Sequence, residues 1–483
     1  MRNSFLLLVL LACLGLLLTG RASAQTFTVL HTFTNSPDGA NPTGGLILLG
    51  NALYGTTQTG GNANLGFAGT SSGGTFFKIN TDGTGYTNLY SFTGGNNSRG
   101  PADSLILVGN TFYGTTVNGG GYDAGTIFAI NADGTGYTNL QYLPTDSSGD
   151  SGYNPYGALV ISGNRLYGTA NAGGTSGYHQ CGTVFVINSD GTSFTNLYDF
   201  SIEPANPSGF YTNSDGAQPY AGLILSSNTL FGVATIGGIY GGGTIFAINT
   251  NGTGFTNIYN FTATSESSYN GTNYDGANPC GTLVLSGNTL YGTAQIGGSM
   301  GLGTVFKVNT DGTGFTTLHN FADGSDGAYP TAGLILTGNT LYGTTVQHRG
   351  VNQGYGSVFA INTDGTGFTS LHSFGITGGS DGGGLVAGLV LSGDTLYGTA
   401  ELLGGGYGTV FALTLQPSLG ITTAGNQLVL SWPTWAPNFN LQSTTNLVSP
   451  VWTTVSPAPV AVNGLNLVTN TISGTQMFYR LSQ

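Results

Sequence analysis

One unit of this chain decides its fold: LVLSGNTLYGTA at residues 283–294, GTVFKVNTDGTGFTTLHNF at residues 303–321, then DGAYP at residues 326–330. Its Tyr-Gly pair, once replaced by Phe-Gly, recurs seven times at intervals of 51 to 64 residues. The aromatic residues of these pairs are Tyr54, Tyr113, Tyr167, Phe231, Tyr291, Tyr342 and Tyr397. Self-similarity at a nearly constant spacing is typical of repeat architectures. The sequence therefore predicts seven tandem units.

Each unit contains four short segments with the composition of β-strands, here named a, b, c and d. In the quoted unit they span residues 283–286, 289–293, 304–309 and 315–321. The Gly-Asn pair between a and b indicates a two-residue hairpin, and the DGTG string between c and d offers glycines that can adopt positive φ. Four antiparallel strands per unit are typical of propeller blades, whereas a parallel β-helix has shorter coils of about 20–30 residues.

The two ends of the repeat region complement each other. The last unit stops after strand c, at residues 408–413, and has no strand d. Residues 27–33, FTVLHTF, form an isolated strand d near the start of the chain. Pairing this strand with the last strand c would remove exposed sheet edges. We therefore predict an all-β fold in which residues 26–415 form a seven-bladed β-propeller closed by the N-terminal strand.

Residues 419–483 lie outside the repeat and hold all three tryptophans, Trp432, Trp435 and Trp452. Alternating apolar and polar residues, as in QLVLSW at 427–432, predict a small β-sandwich. The preceding Gln-Pro-Ser at 416–418 is a suitable linker. Because the aromatic set is separate, we expect an independent core and a folded repeat region in a chain that ends near Gln416.

Residues 1–24 have the pattern of a signal peptide. Arg2 precedes an apolar run at residues 5–18, and Ala-Ser-Ala at residues 22–24 forms a small-residue cleavage site. A membrane anchor is the first alternative, but the run is shorter than about 20 residues. Lipidation at Cys13 is the second, although this residue lies inside the apolar run. We expect cleavage, no membrane span thereafter, and a secreted or cell-surface protein.

Composition excludes several classes of protein. The net charge is −12 with only eight Lys and Arg residues, so nucleic-acid binding is disfavoured. An apolar content of 39% argues against disorder, and 85 glycines argue against a helical fold. Cys181 and Cys280 follow the leader and could pair in an exported protein. Sister units carry other residues at both positions, which favours two separate thiols over a disulfide.

The strings LSGNTLYGT, GTVF and NTDGTGF resemble the Gloeo-Verruco (GloVer) tandem repeat of exported bacterial proteins, and the resemblance covers about 390 residues. It implies an extracytoplasmic location and supplies no catalytic residues. Members of that family often carry a C-terminal sorting anchor, whereas this sequence ends in the β-rich segment.

Residues that recur in most units are interpreted as scaffold. An aspartate precedes the glycine of the c–d turn in five units, and turn chemistry explains it better than a calcium site: Asp82, Asp133, Asp190, Asp311 and Asp364. His31, His319 and His372 share one strand-d position with Tyr90, Tyr198 and Tyr259, which indicates packing. No Cys/His cluster has zinc spacing, and the GDSG and GTSSG strings at 149–152 and 69–73 lack the strand–turn–helix context of a nucleophile elbow. We expect no metal, no cofactor and no catalytic residue.

Loop variability predicts the ligand-binding face. The a–b and c–d turns are uniform and share one end of each unit, while the b–c and d–a loops vary and share the other end. Rigid scaffolds carry binding residues on such loops, although mere tolerance of insertions is an alternative. The candidate ligand-binding residues are Tyr178, His179, Glu203, Tyr211, Asp215, Glu266, Tyr269, Tyr274, Asp275, His348 and Arg349.

Two functions fit these features. Glu203 and Glu266 lie in the two longest d–a loops beside tyrosines, an arrangement that suits glycan binding. The favoured hypothesis is a monomeric, non-enzymatic binding or structural propeller whose partner is a polysaccharide or a surface protein. The alternative is an exported carbohydrate-active enzyme that uses the loop carboxylates. Solubilising loop residues without a ligand are a third interpretation of the same side chains.

Overall fold

The computed structural model describes residues 25–62, 73–93, 98–101, 103–121, 123–143, 151–174, 181–201, 212–265, 271–322, 324–347, 355–375, 381–401, 406–417, 419–436, 439–462, 464–472 and 477–482. Within them the repeat region forms seven antiparallel sheets, one for each predicted unit. Five of these sheets have four strands and two have five.

Sheets 1 to 3 follow one another along the chain. Sheet 1 contains β2 (Ile47–Leu49), β3 (Ala52–Thr57), β4 (Thr75–Asn80) and β5 (Thr87–Ser91). Sheet 2 contains β6 (Ser98–Pro101), β7 (Ile106–Val108), β8 (Thr111–Gly119), β9 (Thr126–Asn131) and β10 (Thr138–Tyr142). Sheet 3 contains β11 (Val160–Ser162), β12 (Arg165–Ala170), β13 (Thr183–Asn188) and β14 (Thr195–Asp199).

Sheets 4 to 6 continue this order. Sheet 4 contains β15 (Ile224–Ser226), β16 (Thr229–Ala234), β17 (Thr244–Asn249) and β18 (Thr256–Asn260). Sheet 5 contains β19 (Ala277–Pro279), β20 (Val284–Ser286), β21 (Thr289–Ile296), β22 (Thr304–Asn309) and β23 (Thr316–Asn320). A single 3-10 turn at Gly324–Asp326 precedes sheet 6, which contains β24 (Ile335–Thr337), β25 (Thr340–Thr345), β26 (Ser357–Asn362) and β27 (Thr369–Ser373).

Sheet 7 joins the two ends of the repeat region. It contains β28 (Val390–Ser392), β29 (Thr395–Ala400), β30 (Thr409–Thr414) and, as its outer strand, β1 (Thr26–Thr32). β1 is antiparallel to β30, with Phe27 opposite Leu413 and Val29 opposite Phe411. The predicted pairing of residues 27–33 with the last strand c is therefore confirmed.

The strand boundaries in the quoted unit agree with the sequence prediction. Strand c spans the predicted residues. Strand a begins one residue later than predicted, and strand d is one residue shorter at each end. Strand b begins as predicted and continues to Ile296. Every strand d carries a β-bulge against strand c, as at Leu318 in sheet 5, which increases the twist of the outer edge.

The repeated Tyr-Gly pair and the repeated GTVF-type string meet across strands b and c. In each sheet the glycine lies opposite a fully buried phenylalanine, for example Gly292 opposite Phe306. A Cβ atom on that glycine would come 2.5–2.8 Å from the phenylalanine ring in all seven sheets. The glycine is therefore required by close packing, and any larger residue would displace the central aromatic ring.

Seven hydrophobic clusters fill the spaces between sheets that follow one another. One of them joins sheets 7 and 1 through Phe33, Leu53, Phe77 and Val410, all at most 1% exposed. The remaining six join sheets 1–2, 2–3, 3–4, 4–5, 5–6 and 6–7 in the same way. Each sheet is thus packed on both faces.

The segment after the repeat forms two further antiparallel sheets in the described residues. Sheet 8 contains β31 (Gly420–Ala424), β32 (Gln427–Pro433), β35 (Val460–Val462) and β36 (Leu465–Thr471), and sheet 9 contains β33 (Asn440–Thr444), β34 (Thr453–Thr454) and β37 (Phe478–Ser482). They share a cluster of Leu430, Trp432, Leu441, Val455 and Val468. These five residues all lie within residues 419–483, for which the sequence predicts a separate core.

This C-terminal segment also contacts the repeat region. Trp435 is 4% exposed and belongs to the cluster between sheets 6 and 7. The Tyr342 hydroxyl donates a hydrogen bond to the carbonyl oxygen of Trp435, and the Thr434 hydroxyl donates one to Asn362 Oδ1 at 2.8 Å. The two parts of the chain share part of their core, a contact that the sequence did not indicate.

No helix within the described part of the chain is long and apolar enough to cross a membrane. The predicted signal peptide at residues 1–24 lies outside those residues.

Candidate functional site

A cavity of about 800 Å³ is lined by residues from all seven units. One set of lining residues lies three positions before the leucine that directly precedes strand a: Thr43, Tyr156, Tyr220, Cys280, Thr331 and Val386. The other set lies at the end of strand b: Gln58, Thr235, Gln295, Val346 and Glu401. The d–a and b–c loops attach at these two points, so the cavity lies on the side of the sheets that carries the variable loops.

Two tyrosines form an aromatic surface in the cavity. The rings of Tyr156 and Tyr220 are stacked, with centroids 4.5 Å apart and an interplanar angle of 19°. Tyr220 is 43% exposed, so part of its ring is accessible from the cavity. Burial raises the pKa of Tyr220, and so do nearby Tyr156, Cys280, Asp103 and Glu401. All five residues line the cavity.

Asp103 replaces a small residue of the repeat at the cavity wall. The six other units carry Gly or Ala at this position. Its carboxylate accepts hydrogen bonds from the backbone N–H groups of Ser104 at 2.6 Å and Ala158 at 2.7 Å. Burial raises the pKa of Asp103, while these hydrogen bonds act in the opposite direction. The bond to Ala158 places this carboxylate two residues from Tyr156.

Glu401 is the second carboxylate of the cavity. It occupies the position at the end of strand b where two sister units have Gln58 and Gln295. Burial alone raises the pKa of Glu401. Glu401 lines the cavity, and within the described ranges its carboxylate has no hydrogen-bond partner.

The cavity lining contains two acidic residues and, among the residues described, no Lys, Arg or His. No group of three or more His, Cys, Asp or Glu side chains suited to a metal ion occurs in the described part of the chain. The Cys280 thiol is buried, lies 3.7 Å from the carbonyl oxygen of Thr331, and has a pKa raised to about 12 by burial. It is therefore protonated at neutral pH and a poor nucleophile.

Most candidate residues from the sequence lie outside the described residues: Tyr178, His179, Glu203, Tyr211, Glu266, Tyr269, His348 and Arg349. Tyr274 is described and is 94% exposed on a d–a loop. Its carbonyl oxygen accepts a hydrogen bond from the Thr317 hydroxyl at 2.9 Å. Tyr274 does not line the cavity, and its role in binding stays a prediction.

Asp215 and Asp275 are buried and hold the d–a loops. Asp215 accepts hydrogen bonds from the Tyr198 hydroxyl at 2.9 Å, the Ser201 N–H at 2.9 Å and the Ser201 hydroxyl. Asp275 makes the equivalent contacts with Tyr259 and Thr262. Three other units place an aspartate at this position: Asp38, Asp326 and Asp381. The structure thus gives Asp215 and Asp275 a scaffold role, which the recurring DGAxP string could have indicated.

The strand-d histidines pack against the next unit. His31 stacks on Tyr86 at 3.7 Å, His319 on Phe368 at 3.6 Å, and His372 on Phe27 at 4.0 Å. Tyrosines at the same position make the same contact, as Tyr259 does with Phe315. Each histidine Nε2 faces the loop aspartate at 3.0–3.6 Å. The prediction that this is a packing position is confirmed.

Replacing the three histidines with tyrosine should reduce the acid sensitivity of the fold. Burial lowers the pKa of His31, His319 and His372 below 6.5, with the facing aspartates acting in the opposite direction. Their contribution to stability is therefore complete above pH 6.5 and is lost as pH falls through the lower folded pKa. The triple variant should match wild type in Tm at pH 7.5 and lose less Tm by pH 5.

The reverse substitution Tyr259→His is the matched control, and it should increase the loss of Tm between pH 7.5 and pH 5. Equal acid sensitivity in wild type, triple variant and control would contradict this role for the histidines.

Seven similar antiparallel sheets, one per sequence unit, define an all-β tandem-repeat protein. The chain belongs to the Gloeobacter/Verrucomicrobia repeat family, whose profile matches residues 67–273 and 264–431. The resemblance of its repeated strings to that family is thereby confirmed. No curated protein matches the chain.

Three solved structures show distant likeness. Oligogalacturonate lyase from Vibrio parahaemolyticus is 8% identical, with a TM-score of 0.46, covering 82% of this chain and 98% of that chain. An oligogalacturonate lyase in complex with manganese is 10% identical, with a TM-score of 0.46, covering 82% and 97%. The S511A mutant of puromycin hydrolase is 11% identical, with a TM-score of 0.47, covering 84% and 61%. Likeness at this level transfers no activity to the chain.

Proposed function

We propose that this chain is an exported, extracytoplasmic protein whose seven sheets are the blades of one closed β-propeller over residues 26–415. Three observations support closure: β1 pairs with β30, a hydrophobic cluster joins sheets 7 and 1, and Phe27 stacks on His372. The leader-like residues 1–24 and the exported nature of the family support export.

We further propose that the protein binds a carbohydrate without transforming it, and that the cavity is the binding site. The observation that carries this proposal is the stacked Tyr156–Tyr220 pair in a cavity of about 800 Å³. Ligand sites typically measure about 300–1,000 Å³ and combine aromatic surfaces with a few polar groups. A sugar ring can pack its C–H face on tyrosine and direct its hydroxyls to the surrounding side chains.

The polar groups of the cavity are prepared for such a ligand. The Gln58 and Gln295 amides line the cavity and offer both donors and acceptors to ligand hydroxyls. Thr43, Thr235 and Thr331 also line it, but their hydroxyl oxygens are buried and have no hydrogen-bond partner among the described residues. A ligand would reach these hydroxyls only after their side chains rotate.

The b–c and d–a loops begin and end on the side of the sheets where the cavity lies. We propose that the loop residues Glu203, Tyr211, Glu266 and Tyr274 extend the site beyond the cavity, as do Tyr178, His179, Tyr269, His348 and Arg349. The partner is then a polysaccharide, or a surface protein that presents glycans, and the propeller acts as a monomer.

A glycan-array screen of the mature chain tests this function, followed by titration of each hit with Tyr220→Ala. Loss of one stacked ring should weaken binding by about tenfold, equivalent to about 1.4 kcal/mol, with Tm nearly unchanged. Tyr142→Ala is the matched control, because Tyr142 is 47% exposed and does not line the cavity.

Alanine at Glu203, Tyr211, Glu266 and Tyr274 tests the loop contribution in the same titration. Binding lost only in this quadruple variant would move the site from the cavity to the loops. Absence of any glycan ligand would overturn the proposed function.

One observation favours a second function, hydrolysis of the bound glycan. Asp103 and Glu401 are two carboxyl groups in one cavity, each with a pKa raised by burial, and glycosidases use a carboxyl pair in which the acid has a raised pKa. Release of reducing ends from an array hit, abolished by Glu401→Gln, would establish this function.

A further inference from the structure

We infer that the cavity selects a ligand with a protonated amino group, such as an amino sugar that is not acetylated. This inference rests on the proposed binding function and names the ligand class of that site.

The acidic lining of the cavity favours a cationic ligand. Asp103 and Glu401 line the cavity, and none of its lining residues in the described part of the chain is basic. A buried carboxylate is unfavourable unless a cation or several hydrogen bonds accompany it. Asp103 has two backbone N–H partners, whereas the Glu401 carboxylate has none among the described residues. A ligand ammonium group would supply the missing partner, while an anionic ligand would be repelled.

The aromatic pair suits the same ligand. Asp103 is bonded to the N–H of Ala158, two residues after Tyr156, and Glu401 lines the same cavity as both rings. The stacked rings and the acidic groups therefore border one cavity. Ammonium groups bind favourably over the face of a tyrosine ring, and more so where water is excluded. A sugar with a free amine would use both the rings and the carboxylates.

Comparison of the units shows that neither acid is needed to build the repeat. Six units fold with Gly or Ala in place of Asp103, and two have Gln in place of Glu401. Both departures from the repeat place an acidic residue in the cavity wall, in a chain whose 483 residues include only 20 Asp and Glu. Asp103 also links sheets 2 and 3 through the N–H of Ala158. Glu401 makes no such link among the described residues, and recognition of a cationic ligand explains it.

Calorimetric titration of the mature chain with three probes tests this inference. Chitobiose with two free amines is compared with its N,N′-diacetyl form, which has the same rings without charge, and with spermidine, which has amines without a sugar. The free-amine disaccharide should bind at least tenfold more tightly than the acetylated one, in keeping with a charge-assisted hydrogen bond. High salt should weaken binding of the free-amine form only.

Glu401→Gln and Gln295→Glu form a matched pair of variants, because both Gln and Glu occur naturally at this position of the repeat. Glu401→Gln should weaken binding of the free-amine disaccharide by about tenfold and leave the acetylated form unchanged. Gln295→Glu should strengthen binding of the free-amine form. Neither variant should change Tm substantially.

The outcomes separate this inference from the proposed function. Equal or tighter binding of acetylated chitobiose would overturn the amine preference and leave the carbohydrate site standing. Binding of spermidine without either sugar would support the cationic ligand and contradict the carbohydrate. Failure of all three probes, or a free-amine affinity unaffected by both variants, would overturn the inference, and the glycan array would then decide the proposed function by itself.

Discussion

Deletion of residues 25–35 should unfold the entire seven-sheet region. It removes β1, exposes the edge of β30, and takes Phe33 out of the cluster between sheets 7 and 1, where it is 1% exposed. Loss of one buried phenylalanine side chain typically destabilises a protein by about 3–5 kcal/mol. Together with the lost strand pairing, this approaches the whole stability of a typical protein, about 5–15 kcal/mol. Circular dichroism and urea unfolding would measure the effect.

Adding the deleted segment in trans provides the sharpest control. A synthetic peptide of residues 25–35 should pair with β30 and restore the folded state of the shortened chain. A peptide with Phe27→Ala and Phe33→Ala should fail, because these rings contact His372 and Phe77. The single variant Thr28→Ala, at an exposed position of β1, should behave as wild type. A shortened chain with unchanged unfolding would show that β1 does not hold the sheets together.

The repeat made most of the fold predictable from sequence. Counting strands per unit revealed that the last unit lacks a strand d and that an extra strand d lies at the start of the chain. The sequence alone therefore predicted the β1–β30 pairing. The short strands β6 and β19 were not predicted. They pair with the extended ends of β8 and β21, and this depends on how far each strand b continues, which local composition does not reveal.

For the proposed site, the sequence indicated only a side of the sheets and not the cavity residues. Loop variability indicated the b–c/d–a side, where the cavity lies. The cavity residues Tyr156, Tyr220 and Glu401 were missed, because their positions converge only when the units are assembled. A position-by-position comparison of the units would have singled out Asp103, the one acid among small residues. The same comparison would have assigned Asp215 to the scaffold, because its string recurs in other units.

The contact of Trp435 with the repeat region follows from the way sheet 7 is built. In sheets 5 and 7 the tyrosine of strand b contacts a threonine in the c–d turn of the next sheet: Tyr291 contacts Thr363, and Tyr397 contacts Thr81. Sheet 7 takes its strand d from the chain start, so no c–d turn follows β30. The partner of Tyr342 in sheet 6 is instead the carbonyl oxygen of Trp435. The C-terminal segment thus replaces the turn that sheet 7 lacks.

Trp435→Ala should therefore destabilise the repeat region by about 3–5 kcal/mol, the usual effect of removing a buried tryptophan side chain. A chain that ends at Gln416 should remain folded, with a loss of at least this size, because it also removes the hydrogen bonds from Tyr342 and Thr340. Trp452→Ala is the control: Trp452 packs under Arg480 in the C-terminal segment and is absent from the cluster between sheets 6 and 7. Urea unfolding followed by circular dichroism measures all three. If Trp435→Ala destabilises the repeat region no more than Trp452→Ala, the C-terminal segment is not part of its core. If the shortened chain is unfolded, the repeat region depends on that segment for folding and the boundary near residue 416 is wrong.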